Sequence, residues 1–100
     1  MSTKITLIID NPADAAAFED AYPEIEAAAR RLPQLRRVEA AKVWPKEDGT
    51  PTPAHRTLDL YFDSYEDASA AVATQEAGEF FQHLAGTGVS FTGLFSDIGS

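Results

Sequence analysis

One hundred residues, 44% of them hydrophobic and 24% charged, suffice for one domain over residues 1–100 and leave nothing for a second core. Sixteen acidic against eight basic residues give a net charge of −8, which repels nucleic-acid phosphates and anionic membrane surfaces, and no apolar run approaches a membrane span. With no cysteine, disulfides, thiolate catalysis, iron–sulfur clusters and zinc-finger frameworks are excluded. The opening residues Met1 to Lys4, a five-residue apolar stretch and then Asp10 do not make a signal peptide, so a cytoplasmic protein is expected. A chain this small buries only about two-thirds of its unfolded surface, which makes oligomerisation the expected source of further cover.

In residues 4–10, Ile5, Leu7 and Ile9 alternate with Thr6 and Ile8, the period of a strand. Asn11-Pro12 then predicts a helix N-cap with proline at the first helical position, and Asp14 favours the positive end of the dipole. Ala15, Phe18, Tyr22, Ile25, Ala29 and Leu32 recur three and four apart and form the buried stripe, leaving Glu19, Glu26 and Arg30 to water. Pro23 predicts a kink or short break, and Pro33 the end of the helix. Residues 35–44 read as a second strand with neither face cleanly apolar, and the three prolines and Asp48-Gly49 turn of residues 45–53 as an exposed connection. Leu58, Leu60 and Phe62 alternate with Thr57, Asp59 and Tyr61 in a third strand over residues 56–63. Ser64 and Asp67 resemble a capping box opening a helix through Ala73, and residues 75–85 continue helical, with Gly86 as the stop. Val89, Phe91, Gly93 and Phe95 make the last strand.

The order β-α-β-β-α-β is the split βαβ pattern of a ferredoxin-like α+β fold, a four-stranded antiparallel sheet with helices on one face. The other face carries Ile8, Tyr61 and Leu94, with Trp44 depending on register, among threonines, serines and Asp59. That face needs cover, and a homodimer packed sheet to sheet would supply it.

Several residues strengthen this reading. Asn11-Pro12 with Phe18 and Tyr22, then Leu32-Pro33-Gln34-Leu35-Arg36-Arg37, and later Leu60-Tyr61-Phe62-Asp63-Ser64, resemble the first helix, its exit and a strand end of the EthD family. The similarity runs over residues 4–97 and implies a dimeric α+β barrel whose sheets pack face to face. The family is named for a bacterial ethyl tert-butyl ether degradation cluster that also encodes an oxygenase system. Two departures stand out: many members carry a histidine about a turn after the tyrosine, where this chain has Ile25 or Glu26, and an Asp-Leu pair where it has His83-Leu84.

Chemistry is sought among acid–base residues, since no cofactor is indicated. His83, beside Tyr22 or Tyr61, is the candidate general acid–base, against the plain alternative of a half-exposed helical histidine. Asp59, a carboxylate in mid-strand, is a tuned acid or an interface-pairing residue. Trp44 and Tyr61 are candidate walls of a ligand pocket, though Trp44 equally suits an interface. Glu79 and His83 could share a metal, but no further ligands are evident, and none is assigned. Arg30, Arg31, Arg36 and Arg37 could take an anion, yet helix-end and ion-pair roles suffice. Gly86-Thr87-Gly88 follows a helix and enters a strand, the reverse of a phosphate loop, and His55 is expected in solvent.

Two functional readings follow. In one, the cleft between sheet and helices binds a small apolar or aromatic metabolite in oxidative catabolism or related oxidoreductase, cyclase or isomerase chemistry. In the other, the protein is a non-catalytic accessory or interaction partner of an oxygenase system. The first requires His83, Tyr22 and Asp59 to face one pocket, the second a filled cleft.

Overall fold

Strand alternation builds the sheet. Ile5, Leu7 and Ile9 occupy one face of β1 (Thr3–Ile9), and all three are buried in the computed structural model, which describes residues 2–99. β1 lies between β3 (Arg56–Phe62) and β4 (Phe91–Asp97), and β2 (Arg37–Lys42) flanks β3, giving the order β2-β3-β1-β4. Every pairing is antiparallel. With α1 (Ala15–Ala29), α2 (Tyr65–Ala71) and α3 (Gln75–Gly86) the chain is β-α-β-β-α-α-β, the ferredoxin-like arrangement with its second helical region in two pieces. No helix among the described residues is long and apolar enough to cross a membrane.

The helices close over one sheet face. Phe18, Tyr22, Ile25 and Leu32 come down from α1 and its exit, and Ala77, Phe80 and Leu84 from α3, onto Ile5, Leu7, Ile9, Leu58, Leu60 and Phe62. At about 1.5–3 kcal/mol for each large apolar side chain, this layer is the main favourable contribution to folding. It also fills the space between sheet and helices where a ligand cleft is expected.

The ends of the elements differ from the sequence reading in instructive ways. Asn11 does not cap α1, because the helix begins only at Ala15; the Asn11 amide donates to the Thr52 carbonyl at 2.7 Å. Asp14 is the cap instead, its carboxylate accepting from Ala17 N at 3.0 Å. Helix α1 runs through Pro23 without a break. A proline there forgoes only the bond to the Glu19 carbonyl, and the buried stripe on both sides of it keeps the two halves seated. The helix ends at Ala29, before Pro33, in a tightened turn where Arg31 N and Leu32 N reach the carbonyls of Ala28 and Ala29. Gln34, at φ 66°, then reverses the chain into β2.

Strand β2 stops at Lys42, short of Trp44: Val43 N still bonds the His55 carbonyl at 2.9 Å, but Pro45 has no N–H to extend the ladder. Ser64 caps α2 as the sequence predicts, accepting from Asp67 N at 3.1 Å. Thr74 separates α2 from α3 by accepting from Ala77 N while donating to the Ala71 carbonyl. Gly86 remains helical, and the reversal falls on Gly88 at φ 78°, which shifts β4 two residues later than expected. Gly93 in β4 pairs with Leu7 of β1, and a Cβ there would stand 3.4 Å from Leu7 Cδ2, an ordinary contact.

Candidate functional site

With the interior filled, the open spaces lie at the surface: a hollow of about 600 Å³ at one end of the sheet is lined by Lys4, Arg36, Arg37, Tyr61 and Asp63, and a second of the same size lies between helices. This second space is a groove that runs between the first half of α1 and the C-terminal end of α3. Phe18, Ala17, Ala21 and Val89 supply apolar wall, and His83 stands on its rim. His83 occupies the last turn of α3, where a positive charge would complement the helix dipole, and Nδ1 lies 4.0 Å from Glu24 Oε2 of α1. Its side chain is 43% exposed.

The candidate acid–base residues do not converge. Tyr22 is buried among the core, its ring 5.9 Å from that of Phe18 and 3.9 Å below the Arg56 guanidinium. Among the described residues its hydroxyl meets no hydrogen-bond partner of good geometry, and burial, reinforced by the nearby Glu26 carboxylate, pushes the phenol up to about 12. Asp59 belongs to the opposite face, in register with Thr6 and Glu39. The Thr6 hydroxyl donates to its carboxylate and Lys4 Nζ lies 3.8 Å away. The sheet therefore separates Asp59 from Tyr22 and His83.

Of the two candidate ligand walls, Tyr61 shares the outer face with Asp59. Its hydroxyl donates to Glu39, whose carboxylate holds the phenol above its usual range, and Arg37 lies 4.2 Å over the ring. Trp44, 87% exposed beyond the end of β2, lines a hollow of about 320 Å³ with Lys42, Val43 and Pro45. Arg30, Arg36 and Arg37 pair with Glu26, Asp63 and Glu39. Among the described residues, no three His, Cys, Asp or Glu side chains stand together as a metal site.

The most ordered polar cluster joins Arg56 to two residues that the sequence reading placed in water. Arg56 Nε and a terminal nitrogen donate to the two Glu19 oxygens at 2.9 and 2.7 Å, and His55 Nε2 lies 3.0 Å from Glu19 Oε2. The Arg56 bonds, aided by that from His55, outweigh burial and hold the Glu19 carboxyl at about 2. His55, expected in solvent, has a side chain only 12% exposed, set edge-on to the Phe18 ring at 5.5 Å. One signal was available: Arg56 has the parity of Leu58, Leu60 and Phe62, so it points to the helix face and requires a carboxylate there.

No family model matches the chain. An uncharacterized 11.0 kDa protein of Rhodococcus erythropolis, in the thcB-thcC intergenic region, is 33% identical over 98 residues, covering 94% of this chain and 92% of that protein. An EthD family protein of Bacillus halodurans superposes with a TM-score of 0.83 at 22% identity, over 97% of this chain and 98% of that one. SnoaB, a cofactor-independent oxygenase of Streptomyces nogalater, in a mutant form, gives 0.70 at 12% identity over 99% and 94% of the two chains. A dimeric protein of unknown function with a ferredoxin-like fold, from Bacteroides fragilis, gives 0.71 at 14% identity over 97% and 96%. The chain thus belongs to the family of the Rhodococcus erythropolis protein, and it is EthD-like, with the fold of the Bacillus halodurans EthD protein and the residue pattern its own sequence carries.

Proposed function

We propose that this protein binds a small apolar or aromatic metabolite in the groove between α1 and α3, in the service of oxidative catabolism, and that it works as a homodimer joined through the outer sheet face. The observation that carries the binding reading is the groove itself: about 600 Å³, walled by Phe18, Ala17, Ala21 and Val89, with one imidazole at its rim. That is the size and composition of a small-molecule site. His83 would orient a ligand hydroxyl or carbonyl while the ring packs on Phe18. The oxidative setting is supported by the EthD protein and by the oxygenase SnoaB on the same fold. The dimer is supported by the dimeric Bacteroides protein and by the apolar residues of the open face.

Between catalysis and binding, the filled interior and the separation of Asp59 from Tyr22 and His83 favour binding, in which case the protein serves as a non-catalytic accessory to an oxygenase system. The test is a thermal-shift screen of apolar and aromatic metabolites. A ligand at a hundred times its Kd adds about 2.7 kcal/mol, a rise of about 10–20 °C for a domain this size. Ala21→Trp, which fills the groove from α1, should abolish the shift while leaving the circular dichroism unchanged. Absence of any stabilising ligand, or an undiminished shift in the tryptophan variant, would refute the assignment. If a turnover is found, His83→Ala should slow it by about a hundredfold, and an unchanged rate would restrict His83 to binding.

A further inference from the structure

His55 is the second histidine of the chain, and it is held with more care than His83. Its backbone is pinned twice, N–H donating to the Ile9 carbonyl at 2.8 Å and C=O accepting from Val43 N at 2.9 Å. Its ring is fixed edge-on to Phe18, and Nε2 is bonded to Glu19. Glu19 is itself clamped by two bonds from Arg56, so it stays an anion and an acceptor. In the neutral imidazole the proton therefore sits on Nε2, and the lone pair belongs to Nδ1. No hydrogen bond to Nδ1 is made among the described residues.

His55 also lines a hollow of about 270 Å³ formed with the segment joining β2 to β3, distinct from the His83 groove. Val43, Pro45, Pro51 and Ala54 give it apolar walls. At its edge Asn11 spends an amide hydrogen on the Thr52 carbonyl, which braces the loop that lines it.

We infer that this hollow is a binding site for a single-ring phenol, whose hydroxyl donates to His55 Nδ1 while its ring packs against Val43 and the two prolines. Three features select that class. An acceptor nitrogen whose partner proton is committed to Glu19 calls for a ligand O–H or N–H donor. The apolar walls and the small volume suit a single ring. Carboxylates and phosphates are disfavoured, because no lysine or arginine lines the hollow, the Arg56 guanidinium is occupied, and an ionised Glu19 stands directly behind the imidazole.

The experiment is a titration of the protein with 4-methylphenol and, separately, 4-methylanisole, its methyl ether without the O–H donor, followed by amide and imidazole nitrogen NMR. The phenol should perturb Val43, Ala54 and the His55 ring nitrogens in one saturable process, and the ether should bind at least about tenfold more weakly, the worth of about 1.4 kcal/mol. His55→Phe, which keeps a ring but no acceptor, should reduce phenol affinity by a similar factor. Equal binding of phenol and ether, no binding of the phenol, or shifts confined to Ala17, Ala21 and Val89 would each overturn the assignment, the last by placing the ligand in the His83 groove.

Discussion

Replacing Glu19 with glutamine keeps the shape of the side chain and removes the charge that Arg56 and His55 share. The consequence can be worked from the carboxyl itself, which sits at about 2 in the folded protein against an ordinary 4.5. That gap sets a ceiling of about 3 kcal/mol on the stability tied to its ionisation. The Glu19 side chain is 29% exposed, so water screens part of this, and about 2 kcal/mol is the working figure. Because folding lowers the value, the contribution is complete above pH 4.5 and disappears as the pH falls from there through about 2. In a domain this small, about 2 kcal/mol corresponds to about 8–16 °C in Tm.

Urea unfolding of wild type and Glu19→Gln, at one protein concentration and at several pH values between 7 and 2, measures this directly. The two proteins should differ by about 2 kcal/mol at neutral pH, and the difference should shrink below pH 4.5 and be gone near pH 2. A difference that persists unchanged to pH 2 would show that the glutamine disrupts packing or hydrogen bonding and that charge is not the cause. No difference at pH 7 would show that the cluster contributes nothing net, the desolvation of Arg56 and Glu19 having cancelled their attraction. A double variant with Arg56→Met separates these cases, since only a true pair gives a coupling energy.

Two further outcomes are expected. Tyr61→Glu should convert the dimer to monomer in sedimentation at micromolar concentration with the secondary structure intact, and a wild-type protein that sediments only as a monomer would remove the dimer altogether. Replacing residues 46–50, which close on themselves through Gly49 N to the Lys46 carbonyl at 2.9 Å, by a short glycine-containing turn should move Tm by no more than a few degrees, because loop length costs little. A large fall would show that the segment packs against a partner copy.

The fold was legible because its signals are collective. Ile5, Leu7 and Ile9, then Leu58, Leu60 and Phe62, alternate without exception, and Phe18, Tyr22, Ile25 and Leu32 keep helical spacing across Pro23. A single local signal cannot overrule such runs, which is why the proline neither breaks nor shortens α1. Element ends were less legible, for each is decided by one or two hydrogen bonds. Asn11 and Asp14 are equally good caps by residue type, and the structure uses Asp14, whose carboxylate accepts from Ala17 N, while the Asn11 amide donates to Thr52, distant in sequence. The polar cluster was the least legible. Glu19 looks solvated on a helical wheel, and His55 adjoins a loop of prolines. Only the pairing of Ile9 with Arg56, which brings the start of β3 beneath α1, puts them together.

The outer face of the sheet is the surface through which the proposed dimer would join. Register arranges it in three rows across the strands: Arg37, Tyr61, Lys4 and Ser96; then Glu39, Asp59, Thr6 and Leu94; then Ala41, Thr57, Ile8 and Thr92. The first two rows hold two cations and two anions, and each anion is already served. Lys4 and Thr6 serve Asp59, while Arg37 and Tyr61 serve Glu39. The third row has no charge. Burying this face against its like therefore leaves no ion unpaired, and the remaining cost is that of desolvating pairs already formed. The apolar return lies to one side: Leu94, Phe95, Ile98 and Tyr65, four of the large hydrophobic side chains left exposed, gather around the β4 edge. A partner that covers only the outer face leaves Phe95 and Tyr65 open, since both lie on the helix side, so its contact must continue around that edge. Tyr61→Glu breaks the balance in the first row by adding an anion beside Glu39 and Asp59 and deleting the hydroxyl that satisfies one of them, which is why this single change should separate the protomers.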